Sequence, residues 1–152
     1  MKGDKVITNN RKAFHDYLIE DSIEAGLVLT GTEIKSIRQG KVNIRDSYAR
    51  PQDGDLWLLN THIAQYTEGN RYNHEPTRPR KLLLHRKELR MLSAAVERKG
   101  LTLVPLKMYL KNGRAKVEIG IATGKKLHDK RKSMIKREMD REIEKAVKSS
   151  RR

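Results

Sequence analysis

The sharpest pattern in the chain is the alternation on either side of Asn112-Gly113. Leu106, Met108 and Leu110 alternate with Lys107, Tyr109 and Lys111; after the Asn-Gly pair, Ala115, Val117, Ile119 and Ile121 alternate with Lys116, Glu118 and Gly120. A period of two marks strands with one buried face. Asn-Gly supplies the two positive-φ positions of a two-residue hairpin turn. The predicted register sets Leu110 against Ala115, Met108 against Val117 and Leu106 against Ile119 on one face. Tyr109 then faces Lys116, and Lys107 faces Glu118, on the other. A second hairpin is predicted between Ile44 and Asn60, with a strand over Ile44–Ala49, a turn at Pro51-Gln52-Asp53-Gly54 and a return strand over Leu56–Leu59. Upstream, 15–19 and 26–29 read as one strand interrupted near Asp21-Ser22, or as two strands, and Val6-Ile7-Thr8 as a short edge strand. So many short strands in so small a body predict a closed or nearly closed barrel.

Helical periodicity is confined to three places. Thr30 stands three residues before Glu33, the spacing of a capping box. Ile34 and Ile37 follow, and Gly40 is placed to end the helix in the left-handed region. Leu89, Leu92 and Val96 form the stripe of a helix over 86–99, closed by Gly100. Near the end of the chain Ile135, Met139, Ile143 and Val147 recur every four residues, with Glu144 and Lys148 as an i,i+4 pair. That stripe is narrow, so the segment is expected to be marginal alone and to become fully helical on a partner. The stretch 68–80 has no periodicity and contains Gly69, Pro76 and Pro79, which predicts a long mobile loop.

Charge changes this picture from fold to partner. The 152 residues carry 34 Lys+Arg against 19 Asp+Glu, a net of +15. Residues 124–152 hold 12 basic and 5 acidic side chains, almost half of the surplus in 29 residues. The division predicted is a body over 1–123 and a basic tail over 124–152. Phosphate backbones are the expected partner, because neutralising them releases counterions. A membrane surface is disfavoured, since the tail has no Trp, Tyr or Phe to pair with its cations. No apolar run approaches the ~20 residues of a bilayer span, and Met1–Lys5 leads into no apolar signal core, which predicts a cytoplasmic protein. The absence of cysteine excludes disulfides, thiolate metal sites and a Cys nucleophile.

Candidate chemistry points to binding rather than catalysis. The five histidines are scattered without metal-ligand spacing, and no phosphate-cradling Gly-rich loop precedes a Lys-Ser or Lys-Thr pair. Asp53 and Asp55 flank a turn glycine and read as turn residues. The basic candidates are Asn10-Arg11-Lys12, the pair Lys35 and Arg38 on one helix face, and Arg78, Arg80 and Lys81. Tyr48 and Tyr109 are candidates for outward strand positions. Cations beside aromatic rings on a sheet form a surface for unpaired or looped RNA. Glu24-Ala25-Gly26 reads either as a bulge or turn, or as a carboxylate that accepts from a base edge or orients a neighbouring cation. Gly124-Lys125-Lys126-Leu127-His128-Asp129-Lys130-Arg131 reads as a hinge carrying phosphate contacts.

Seven blocks, in order along the whole chain, resemble the SsrA-binding protein (small protein B) family. They are Asn10-Arg11-Lys12-Ala13 with His15-Asp16-Tyr17; Glu24-Ala25-Gly26; Gly31 to Ser36 with Arg38 and Gly40; Asn43 with Asp46-Ser47-Tyr48; Asn73-His74 with Pro76, Arg78 and Arg80 to Leu84; Thr102 to Leu106; and Gly124 to Arg131. The resemblance implies a mainly β fold, an OB-like antiparallel β-barrel with short helices and a basic C-terminal tail that is helical when bound. It implies an adaptor, not an enzyme, needing no cofactor or metal. Such proteins bind the tRNA-like domain of transfer-messenger RNA and deliver it to stalled ribosomes for trans-translation, standing in for the missing anticodon arm. By resemblance, Asn10, Lys12, His15, Glu24, Tyr48, Leu83 and His85 lie on or support the RNA-binding surface; Lys35, Arg38, Arg78 and Arg80 are added from charge. The tail is expected to probe the empty mRNA channel and decoding site of the small subunit through Gly124, Lys125, Lys126, His128, Asp129, Lys130 and Arg131, with Ile143 and Val147 as anchors. Elongation factor Tu would be reached indirectly through the charged RNA, and the protein is expected to be a monomer. Two other classes remain, a generic barrel that binds ribosomal RNA and an RNA-processing enzyme. Preference over plain tRNA separates the first, and the fate of labelled RNA the second.

Overall fold

In the computed structural model, residues 4–124 are described, together with Met139 and Arg141, which are helical. Over residues 4–124, nine strands and three α-helices follow one another. These are β1 (Lys5–Asn9), α1 (Arg11–Asp16), β2 (Tyr17–Leu27), α2 (Gly31–Arg38), β3 (Val42–Asn43), β4 (Tyr48–Gln52), β5 (Asp55–Leu59), β6 (His62–Ile63), β7 (Arg80–Leu83), α3 (Arg86–Lys99), β8 (Thr102–Lys111) and β9 (Arg114–Gly124), with a short 3-10 helix over Thr67–Tyr72 before β7. The antiparallel pairings run β8-β4-β5-β7-β2-β9 and return through β9 to β8, so the circuit closes; β1 lies along the outer part of β8, and β3 and β6 pair separately. Closure removes the exposed edges that a small open sheet would present.

The β8–β9 hairpin turns at Asn112 (φ 53) and Gly113 (φ 78), the pair of left-handed conformations the sequence predicts. Leu110 faces Ala115, Met108 faces Val117, Tyr109 faces Lys116 and Lys107 faces Glu118. The register departs from the expected one at Leu106. An irregularity between Pro105 and Lys107 sets Pro105, not Leu106, against Ile119. Proline cannot donate to a ladder, and the extra residue sends Leu106 to the outer face. There Leu106 packs with Ala13, Val104 and Ala122. It lies so close over β9 that a Cβ at Gly120 would stand 2.9 Å from Leu106 Cδ1.

Three further expectations are corrected. The second hairpin turns on Asp53 and Gly54 alone, both at positive φ. Pro51 and Gln52 are in β4, and 44–47 is not a strand. His15 and Asp16 belong to α1, while β2 runs unbroken from Tyr17 to Leu27 with a register shift between Ile19 and Asp21. The segment 68–80 is no free loop. It contains the 3-10 helix, the buried His74 and the start of β7 at the fully buried Arg80.

The interior divides in two. Leu56, Leu58, Leu82, Leu103, Val117, Ile119 and Ile121 form one cluster with Leu92 of α3, against which Leu89 and Val96 pack. Ile44, Ile63, Met108 and Ala115 form the other with Ile37 of α2. Each such fully buried aliphatic side chain contributes ~1.5–3 kcal/mol of transfer free energy. The helices hold their places through their ends. Thr30 and Glu33 cap each other at the start of α2, and Gly100 (φ 62) ends α3 in the left-handed region.

Candidate nucleic-acid interface

The sequence-predicted residues separate into a site at each end of β2 and an interior group. The first site surrounds α1, a helix too short to show periodicity. Asn10 caps it, its Oδ1 accepting from Ala13 N at 3.1 Å. The amide nitrogen of the same side chain donates to Pro105 O (2.8 Å) and Ile44 O (3.1 Å), and Asn10 N donates to Leu106 O (2.8 Å). Carbonyls beside the β8 irregularity are thus taken by one buried asparagine, 2% exposed. Asn10 therefore supports the surface from beneath. It fixes α1 against both the bulge and the chain that leads into β4.

Around that anchor Lys12 pairs with Asp46 (2.6 Å), and this hydrogen bond from the ammonium holds the Asp46 carboxyl below its ordinary range. Lys12 and Tyr48 line one concavity with Tyr17 and Arg45. A neighbouring one brings His15 together with Arg11, Asn43 and Arg45. The His15 ring, its side chain 87% exposed, pairs with Asp16 at 2.9 Å. Arg45 is the residue that sequence reasoning missed here. It lies between Asn43 and Asp46 of a block quoted for the resemblance, and it enters through the turn that replaces the expected strand. Gly124 closes β9 opposite Tyr17, beside this site.

The second site lies at the hairpin end, nine residues further along β2. Glu24 is on the outer face opposite Glu118, and Gly26 is opposite both Lys116 and Leu83. The Tyr109 hydroxyl donates to Glu24 across β9, and Lys111 Nζ lies 3.6 Å from the carboxylate. That hydroxyl bond, helped by Lys111 and Lys116, lowers the Glu24 pKa despite some desolvation. Burial and the facing carboxylate raise that of Tyr109. Tyr109 is therefore on the outward side but 6% exposed, covered by Lys107, whose Nζ lies 5.3 Å from the ring centroid. Glu24 is in regular pairing away from the register shift in β2, and its carboxylate meets Tyr109 and Lys111. Leu83 is 51% exposed. His85 is the exposed N-cap of α3, its N–H donating to Glu88.

One candidate chosen on charge is corrected. Arg80 is wholly buried: Nε donates to Glu33 (2.6 Å), Nη1 to Thr61 O (2.5 Å) and Nη2 to Pro76 O (3.0 Å). Arg78 donates to the other oxygen of Glu33. Burial pushes the Glu33 carboxyl up, but the donors Arg78, Thr30 N–H and Arg80 outweigh it and leave it below the ordinary carboxylate value. Arg80 therefore holds the fold from the interior and has no surface to offer a phosphate, whereas the Arg78 side chain, bound to the same carboxylate, is 30% exposed. Lys35 and Arg38 are exposed on α2, with Lys35 5.4 Å from the Tyr66 ring centroid. The tail candidates Lys125, Lys126, His128, Asp129, Lys130, Arg131, Ile143 and Val147 lie outside the described residues.

Among the described residues no group of three or more His, Asp or Glu is placed to hold a metal ion, and no helix is long and apolar enough to cross a membrane. What the arrangement offers is cations, an exposed aliphatic side chain and oriented polar groups on a closed sheet.

Residues 7–149 match the SmpB protein family. The SsrA-binding protein of Geobacillus kaustophilus is 60% identical over 146 residues, covering 95% of this chain and 94% of the relative. That of Carboxydothermus hydrogenoformans is 58% identical over 146 residues, covering 96% and 98%. A solved structure described as "tmRNA-SmpB: a journey to the center of the bacterial ribosome" superposes with a TM-score of 0.66 at 55% identity, covering 78% of this chain and 83% of its own. With the circuit of strands, the α1 anchor and the hairpin-end surface in place, the chain belongs to the SmpB family of SsrA-binding proteins.

Proposed function

We propose that this protein is the RNA-binding adaptor of trans-translation. It binds the tRNA-like domain of transfer-messenger RNA and brings it to ribosomes stalled on messages without a stop codon. The observation that carries the reading is family identity over nearly the whole chain, joined to outward cations on the barrel. The body over 1–123 takes the place of the absent anticodon arm. The basic tail over 124–152 enters the vacant mRNA channel of the small subunit and reaches the decoding site, so a message already in that channel competes with it. Elongation factor Tu is engaged only through the aminoacylated RNA. The protein works in the cytoplasm as a monomer and contributes binding alone, without a chemical step.

Competition tests this reading. The full chain should prefer the tRNA-like domain to plain tRNA by orders of magnitude, and equal affinity for both would leave only generic RNA binding. If the tail makes ~6 phosphate contacts, affinity for the ribosome should fall by ~10³ between 50 and 200 mM salt. Labelled RNA held for hours with the protein and a divalent metal should remain intact. Cleavage would move the protein into the RNA-processing class.

A further inference from the structure

Between β2 and α3 lies a groove of about 340 Å³ that the reading above leaves without an occupant. Met91 and Ala95 of α3 line it together with Leu101 and Ile121, and Glu20 and Asp21 of β2 are its charged members. Met91 is 48% exposed. Leu101 and Ile121 belong to the main interior cluster, so the core reaches the surface here. The two carboxylates share the groove because of the irregularity in β2. Successive residues of a regular strand point to opposite faces. The register shift between Ile19 and Asp21 makes Glu20 an extra residue, and both acidic side chains come to the same place.

Charge sets this groove apart from the rest of the molecule. Glu24, further along the same strand, has Lys111 Nζ at 3.6 Å. Glu20 accepts from the Thr123 hydroxyl (3.2 Å) and Asp21 from the Ser22 N–H (2.8 Å), and among the described residues neither has a cation within ion-pair distance. In a chain of net charge +15, two uncompensated carboxylates repel phosphate and attract a cation. The apolar wall beside them asks for more than an ion. An unbranched methionine adapts to an inserted side chain, and Met is enriched where protein interfaces are packed. Wall and carboxylates together complement a basic protein segment that inserts one apolar side chain.

We propose that this groove seats a basic segment of a ribosomal protein, one apolar side chain against Met91, Ala95 and Leu101 and the flanking Lys or Arg on Glu20 and Asp21. The inference rests on the ribosome-rescue reading above. It gives the adaptor a protein contact on the ribosome beside its RNA contacts, through residues that the RNA-binding surface does not use.

The test places the photo-reactive residue p-benzoylphenylalanine at position 91 of the full chain. The chain is assembled with charged transfer-messenger RNA on purified ribosomes stalled on a message without a stop codon, and the crosslinked product is mapped by mass spectrometry. The crosslink should fall on a Lys/Arg-rich segment of a ribosomal protein. Glu20→Lys with Asp21→Lys in the same chain should cut its yield several-fold while affinity for the isolated tRNA-like domain does not fall. If that pair does not fold, Glu20→Gln with Asp21→Asn carries the test, with the charge removed instead of reversed. A crosslink to ribosomal RNA or to the chain's own tail, no crosslink, or a yield indifferent to these substitutions overturns the groove and leaves the adaptor reading intact. Failure of the wild-type chain to join stalled ribosomes with transfer-messenger RNA overturns both.

Discussion

Glu33 and Glu24 are the same residue type, each set between cations and hydrogen-bond donors, and they do opposite work. Glu33 is fully buried and accepts from Arg78, Arg80 and the Thr30 N–H. Around it α2, β7 and the chain over 75–79 are fastened together. Glu24 is on the outer sheet face, 40% exposed, held by the Tyr109 hydroxyl and Lys111. Both carboxyls titrate below their ordinary value, one because two guanidiniums overcome desolvation and the other because a phenol hydroxyl reaches it. The comparison teaches that a count of positive charges does not measure a positive surface. One arginine that reads as a phosphate contact, Arg80, belongs to the interior, and a second, Arg78, is tied to the same buried carboxylate.

The largest effect should come from breaking the interior network. Arg80→Ala leaves Glu33 buried with one arginine and removes the guanidinium donors to Thr61 O and Pro76 O, and should cost ~3–5 kcal/mol in denaturant unfolding. Arg80→Lys should recover little, since an ammonium cannot reproduce the fork that reaches Glu33, Thr61 and Pro76. A loss under 1 kcal/mol would place Arg80 outside the structural account. Next, Asn10→Ala removes a helix cap and the donor for two buried carbonyls, and should cost ~2 kcal/mol in thermal or urea unfolding. RNA affinity should fall with it although Asn10 itself is covered.

The pH dependence separates the two carboxyls further. The Glu33 pKa is lowered from 4.5 in the folded protein. Its stabilisation is therefore complete above that value and is lost as pH falls through the lower folded one. Wild type should lose stability steeply below pH 4.5, and Glu33→Gln, weaker at neutral pH, should lose less over the same range. Parallel curves for the two proteins would show that Glu33 is not the responsible group. The smallest stability effect is expected at the surface. Glu24→Gln and Lys111→Ala should each change unfolding by at most ~1 kcal/mol, and Lys12→Ala should leave the thermal midpoint in place. All three should still weaken binding to the tRNA-like domain, with the salt dependence shallower by about one unit for each lysine.

Local signals gave the elements that local physics determines. Asn112-Gly113 located its hairpin, Thr30 and Glu33 their capping box, and Leu89, Leu92 and Val96 a helix ending at Gly100. The α1 helix escaped because six residues hold less than two turns of periodicity, and its stability comes from Asn10 and from Ala13 against Leu106. The Leu106 shift escaped because alternation continues through it in the sequence, with Pro105 the only hint. The burial of Arg80 escaped because its partner, Glu33, is 47 residues away and had already been explained as a cap. At the hairpin-end surface Tyr109 and Glu24 were visible from the residues, but Leu83 only through resemblance, since an exposed leucine on a strand leaves no mark in composition.

The central claim is that the barrel recognises the RNA and the tail has a separate task. The most direct measurement titrates the full chain and a chain ending at Thr123 against the tRNA-like domain, with plain tRNA as competitor, at about 150 mM salt. The account predicts that both proteins bind tightly and keep their preference over plain tRNA. Loss of preference, or loss of binding when the tail is removed, would contradict it.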